Sequence, residues 1–232
     1  MFSFKLGKIP VTVQPYFLLM ALLFGAQLGS DVGLIAAWLA IVFVSVLAHE
    51  LGHALCGIAF GLDPRIDLHG MGGTTSWRHK DVSTAKRIAI SIAGPAVGIV
   101  VGGALLFGAP LLFPGGVSAR GARIIELVVW VNLGWGLLNL LPILPLDGGN
   151  AMAYGLGAAM GERGVRAARY VSIAVAVLCA FWLVGTDVRH LGERITGNAF
   201  PLLLLAMFAF QNYRALHESS EPPPPPMAPQ QW

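Results

Sequence analysis

The chain has 232 residues, of which 56% are hydrophobic and 12% charged, with a formal net charge of +3 and a mean hydropathy of +0.70. Soluble domains carry roughly 25% charged residues, so this balance excludes an ordinary soluble enzyme and points to an integral membrane protein. The charge is modest and its basic residues sit in short loops beside apolar runs, which speaks for membrane orientation and no nucleic-acid partner.

Six apolar segments can be marked against the ~20 residues that cross a hydrocarbon core. The first covers residues 9–28, behind Lys5 and Lys8. It outruns a signal peptide, and Gly25-Ala26-Gln27 is a poor cleavage site, so a retained first span is expected. The second covers residues 32–60, long enough to tilt. Residues 66–77 alternate and are glycine-rich, as in a short membrane-associated β-hairpin. Residues 88–113 form the third segment and 124–146 the fourth, broken late by Pro142 and Pro145. The fifth covers 165–185. The sixth, 199–216, loses its clean apolar core at Phe210, so a re-entrant or interfacial segment is its alternative.

The expected fold class is therefore an all-α membrane protein, a polytopic bundle of about six transmembrane helices with a small membrane-associated β-hairpin after the second span. Residues 1–217 form the transmembrane domain, and 218–232 a disordered, proline-rich tail with five consecutive prolines, Pro222 to Pro226. No internal repeat is visible, which weighs against an inverted-repeat transporter. With both termini cytoplasmic, eleven basic residues fall on the inner side and four on the outer, as the positive-inside rule requires.

The chemistry lies in His49-Glu50-Leu51-Gly52-His53. No charged residue occurs from Val32 to Leu47, and then two imidazoles and a carboxylate appear within five positions. Burying such groups in a membrane helix is costly. Residues four apart share a helix face, so His49 and His53 can hold one cation, with Glu50 beside it as a general base. The alternative is a histidine pair bonded to neighbouring backbone. A catalytic zinc takes three protein ligands and keeps an open position. The third is expected to be Asp147, after the prolines that break the fourth segment; its alternative is a turn carboxylate capping Gly148-Gly149. In the six-span topology both the second and fourth segments run inward, so these groups meet at similar depth. Cys56, three residues past His53, could supply a thiolate, with core packing as the better reading. Two cysteines in apolar segments make no disulfide framework.

Four stretches resemble the site-2 protease family of intramembrane zinc metalloproteases. They are Val46 to Ala54, Met71 to Thr75, Ser91 to Pro95, and Asn139 to Gly149 with its Leu144-Pro145-Leu146-Asp147-Gly148 core. The compact bacterial branch, without a PDZ domain or a tail domain of the cystathionine-synthase type, is the nearest likeness. The resemblance implies one zinc held by His49, His53 and Asp147, with Glu50 as general base and Asn139 helping to position the scissile carbonyl oxygen. Family members often carry Asn a few residues after the Gly-Pro of the third span, where this chain has Gly98, which cannot replace an amide.

The implied reaction is peptide-bond hydrolysis within or near the transmembrane segment of a membrane-tethered protein, as in regulated intramembrane proteolysis. The partners are a substrate helix and the lipid bilayer, with a regulatory partner or homodimer left open. Gly72, Gly73 and Thr74 could bind the unwound substrate by strand addition; an ordinary loop is the alternative. A bacterial plasma membrane is the expected location. A metal-ion transporter, an inactive helix-binding relative and a hydrolase of lipid amides are the competing functions.

Overall fold

A computed structural model describes residues 1–77, 82–185 and 198–218. The chain opens with strand β1 (Phe2–Leu6), turns at Gly7 (φ +58°) and returns as β2 (Ile9–Val13). A two-residue hairpin turn needs positive φ, which glycine adopts without strain. Ile9, Val11 and Val13 alternate with Pro10 and Thr12 and are buried, the period-two pattern of a half-covered strand. Helix α1 (Pro15–Gly25) follows, extended by a 3₁₀ turn to Leu28. The expected first span of residues 9–28 is thus divided: its front quarter is a strand, and only Pro15–Leu28 is helical. The β-branched alternation outweighs the apolar composition there.

Helix α2 (Val32–Ala59) has 28 residues, about 42 Å of rod. Asp31 caps it, its carboxylate accepting from the Leu34 amide at 3.1 Å. Against α2, Trp38 Nε1 donates to the Ala21 carbonyl of α1 at 2.9 Å. Strands β3 (Pro64–His69) and β4 (Gly72–Trp77) form the expected hairpin. They join the N-terminal pair in one sheet of order β1-β2-β3-β4, antiparallel except for the parallel β2–β3 ladder that sets Val11 opposite Ile66. The buried face, Val11, Val13, Ile66 and Leu68, packs on Val46 and Ala54 in the C-terminal half of α2.

Helix α3 (Thr84–Leu112) runs beside α2 with Pro95 inside it. Next, α4 (Ala119–Val129), a π-helical turn (Trp130–Gly134) and α5 (Trp135–Asn139) form one rod. Helices α6 (Asp147–Met160), α7 (Glu162–Val184) and α8 (Ala199–Glu218) complete the described chain. Arg214 and Glu218 pair one turn apart at the end of α8.

Among the described residues, five helical stretches are long and apolar enough to cross a membrane: Val32–Ala59, Thr84–Leu112, Ala119–Asn139, Glu162–Val184 and Ala199–Glu218. Their outer faces expose Phe107, Leu111, Phe181, Trp182 and Leu203, side chains suited to lipid. Of the expected tail, 218–232, Glu218 ends α8 and the rest lies outside the described residues.

Candidate metal centre

Two rods set the depth of the site. Arg120, at the start of α4, bonds both carboxylate oxygens of Asp31 at 2.7 and 2.6 Å, tying the N-terminal ends of α2 and α4 together. From that tie, His49 lies about 27 Å along α2 and Asn139 about 29 Å along the α4–α5 rod. The rod stops at Asn139 because Pro142 and Pro145 cannot continue a helix. Eight residues beyond Asn139, Asp147 opens α6. Its carboxylate turns to the histidines rather than to the Gly148-Gly149 turn.

The three expected ligand atoms meet. His49 Nε2 stands 3.1 Å from Asp147 Oδ2, His53 Nε2 stands 3.3 Å from the same oxygen, and the two Nε2 atoms are 3.2 Å apart. Ligands ~2.0–2.1 Å from one tetrahedral zinc stand ~3.3 Å apart, so this triangle fits one face of a zinc tetrahedron. The donor set of two imidazoles and a carboxylate is also a zinc set. His53 Nδ1 lies 2.6 Å from the Ile90 carbonyl, an acceptor, so Nδ1 carries the proton and Nε2 turns a lone pair into the triangle. His49 and His53 are both buried; the Nδ1 of His49 has no partner among the described residues. Cys56 is a free thiol and its sulfur does not join the cluster of ligand atoms formed by His49, Glu50 and His53.

Glu50 is buried beside the triangle. Thr75 on β4 donates its hydroxyl to Glu50 Oε2 at 2.7 Å. Gly73 crosses directly over the carboxylate, where an added Cβ would lie 2.5 Å from Glu50 Cγ and 2.7 Å from Oε1. Of the expected substrate-binding residues, Gly73 therefore lies over Glu50, and Gly72 lies against Trp135. Thr74 faces the other way and accepts from His69 Nε2 at 2.8 Å. The threonine that touches Glu50 is Thr75, one residue beyond the expected edge.

Close approach of the helices depends on glycine. A Cβ on Gly94 of α3 would overlap the His53 imidazole, and one on Gly98 would lie 2.7 Å from the Asn132 carbonyl oxygen. Gly98 is thus the place on α3 where the Asn132 backbone arrives from the neighbouring rod. Asn132 sits in the π-helical turn, is buried, and donates to Ser45 Oγ at 2.8 Å. Such wide turns recur at functional sites. Ser45, Gly98, Asn132 and Trp135 enclose with His49 a cavity of about 10 Å³, too small for a substrate group. Asn139 is buried, and its amide nitrogen donates to the Trp135 carbonyl at 3.0 Å within its own helix. Ser45 and Asn132 were not among the expected site residues; a polar side chain inside an apolar run was the available signal.

Residues 117–183, from the start of α4 to the end of α7 and including Asp147, match the model of Peptidase family M50. A candidate zinc metalloprotease of Synechocystis sp. is 36% identical over 164 residues, 64% of this chain and 42% of that protein. A zinc metalloprotease of Methanocaldococcus jannaschii is 28% identical over 151 residues, 64% of this chain and 43% of that protein. The chain spans under half the length of these relatives. The solved structure of a site-2 protease from Methanocaldococcus jannaschii superposes with a TM-score of 0.61, covering 93% of this chain and 95% of that one at 23% identity, a likeness of fold. The chain is thus similar to peptidase family M50 over residues 117–183 and shares its fold with a solved site-2 protease.

Proposed function

We propose that the protein is a zinc-dependent intramembrane endopeptidase, with His49, His53 and Asp147 as ligands and Glu50 as general base. The observation that carries this reading is the triangle of three ligand atoms 3.1–3.3 Å apart with a buried carboxylate next to it. When bound, zinc supplies Lewis acidity, which makes water nucleophilic near neutral pH and polarises a carbonyl. Glu50 takes the proton released by the attacking water and passes it to the departing amine. Thr75 holds the Glu50 carboxylate in one orientation through its 2.7 Å bond. Asn139 keeps a second amide N–H beyond the one given to Trp135, a donor for the developing oxyanion.

The substrate is the transmembrane segment of a membrane-tethered protein. A helix hides its peptide bonds, so the segment must unwind before it is cut. Strand β4 is the outer strand of the sheet and passes over Glu50, so an extended substrate adding to the Gly72–Thr74 edge would run past the base. Orientation with both termini in the cytoplasm rests on the eleven-to-four basic asymmetry, and a bacterial plasma membrane on the alanine- and glycine-rich composition.

The test is cleavage in proteoliposomes holding the protein with single-span membrane proteins. Wild type should release a truncated product, and Glu50→Gln should lower the rate by roughly 10²–10⁴ while keeping zinc. Cleavage by Glu50→Gln at the wild-type rate would remove Glu50 from the role of base. Zinc flux into the vesicles without any cut product would replace the reading with transport.

A further inference from the structure

The loop that delivers Asp147 leaves helical geometry at Leu140 and resumes it at residue 147. Part of its backbone is satisfied locally: Ile143 N donates to Leu141 O, and Leu146 N to Ile143 O, each at 2.7 Å. Leu144 is different. Its N–H donates to Ser172 Oγ of α7 at 3.0 Å, and its carbonyl accepts from Asn212 Nδ2 of α8 at 2.8 Å. Both side chains are almost fully buried, Ser172 at 0% and Asn212 at 2% exposure. Each is itself anchored one turn back, Ser172 Oγ donating to Ala168 O and Asn212 Nδ2 to Phe208 O, both at 2.8 Å.

We propose that Ser172 and Asn212 are positioning residues for the metal ligand Asp147, acting through the backbone of Leu144. Non-helical backbone at membrane depth must find partners inside the protein, and here both polar groups of one residue are held by two different helices. Leu144 precedes Asp147 by three residues, so little chain remains to absorb an error. A ligand triangle with 3.1–3.3 Å edges tolerates only tenths of an ångström. Asn212 Oδ1 is buried with no partner among the described residues. An unpaired buried oxygen is destabilising, so the amide at this position is explained by its two donated bonds and not by packing. Side chains that hold metal ligands in place typically cost 10–100-fold in metal affinity when removed. The proposal rests on the zinc-centre reading above.

The experiment compares purified full-length wild type, Ser172→Ala, Ser172→Thr and Asn212→Ala. Zinc affinity is read by chelator competition, the cobalt(II)-loaded protein by its visible absorption, and the zinc-free protein by thermal unfolding. Ser172→Ala and Asn212→Ala should weaken zinc binding about 10–100-fold and shift the cobalt bands. Ser172→Thr, which keeps the hydroxyl, should restore wild-type values. Ala176→Gly on the same helix supplies the control, lowering the unfolding temperature while leaving zinc affinity and cobalt bands unchanged. If Asn212→Ala does not fold, the Ser172 pair decides, since Ser172→Ala removes a single oxygen. Wild-type zinc affinity and cobalt bands in Ser172→Ala would overturn the positioning role. Wild-type protein that retains no zinc would overturn the metal centre itself, and the positioning role with it.

Discussion

The hydroxyl of Thr75 lies 2.7 Å from a carboxylate oxygen of Glu50 and 3.1 Å from that residue's own backbone oxygen. The sheet is thereby bonded to Glu50, not merely laid over it. A hydrogen bond to a charged group contributes about 1.5–3 kcal/mol, which corresponds to roughly 10–100-fold in rate if it is fully expressed in the transition state. Thr75→Val should lower kcat by about that factor with zinc content unchanged, and Thr75→Ser should restore it. Steady-state cleavage kinetics beside metal analysis check this; an unchanged kcat in Thr75→Val would reduce the bond to a structural tie.

Gly94 offers a test of packing against the site. A methyl group there would overlap the His53 imidazole, and the ring cannot retreat without breaking its 2.6 Å bond to the Ile90 carbonyl. Overpacking of this kind costs about 1–3 kcal/mol. Gly94→Ala should purify with well under one zinc per chain and unfold at lower temperature. Full zinc occupancy would show that α2 and α3 separate more easily than their contact suggests.

Asp147→Ala removes one corner of the ligand triangle and leaves Glu50, Thr75 and the sheet untouched. Zinc retention through gel filtration should fall sharply, and a chelator should silence the wild type but be reversed by added zinc. Retention equal to wild type would place the third ligand elsewhere.

The Asp31–Arg120 pair lies at the opposite end of the two rods, Asp31 just before the stretch Val32–Ala59 and Arg120 at the first turn of Ala119–Asn139. The Arg120 side-chain bonds, followed by the Leu34 amide, hold the Asp31 carboxyl below its ordinary value. A depressed carboxyl contributes stability that is present above its unfolded-state pKa, near 3.9, and is lost as pH falls through the lower folded value. Both partners are exposed, so the contribution is small and weakened by salt. Asp31→Asn should therefore lower the unfolding temperature slightly at neutral pH and converge with wild type in acid. A difference that grows below pH 4 would contradict the pairing.

Much of the candidate metal centre was legible in the sequence because its geometry is local or set by breaks in the chain. His49, Glu50 and His53 follow from helical spacing, and Asp147 follows from prolines that end a span. The β3–β4 hairpin was legible from alternation and glycine. The strand nature of residues 9–13 was hidden because an apolar composition reads equally as span or sheet, and only the β2–β3 ladder separates the two. Helix α6 escaped notice because Gly148, Gly149, Gly155 and Gly157 dilute its apolar pattern. Ser172 and Asn212 stand 25 or more residues from Asp147, and nothing local to either betrays the backbone of Leu144 as their target.

The parallel pairing of β2 with β3 has a practical consequence. Neighbouring strands lie about 4.8 Å apart, so three ladders carry any displacement of residues 2–6 across roughly 14 Å to the strand that roofs Glu50. An affinity tag or a docking protein that tugs on the first strand would be felt at the Glu50 carboxylate. A fusion joined there therefore calls for kinetic controls, even though its attachment point is remote from the histidines in the covalent chain.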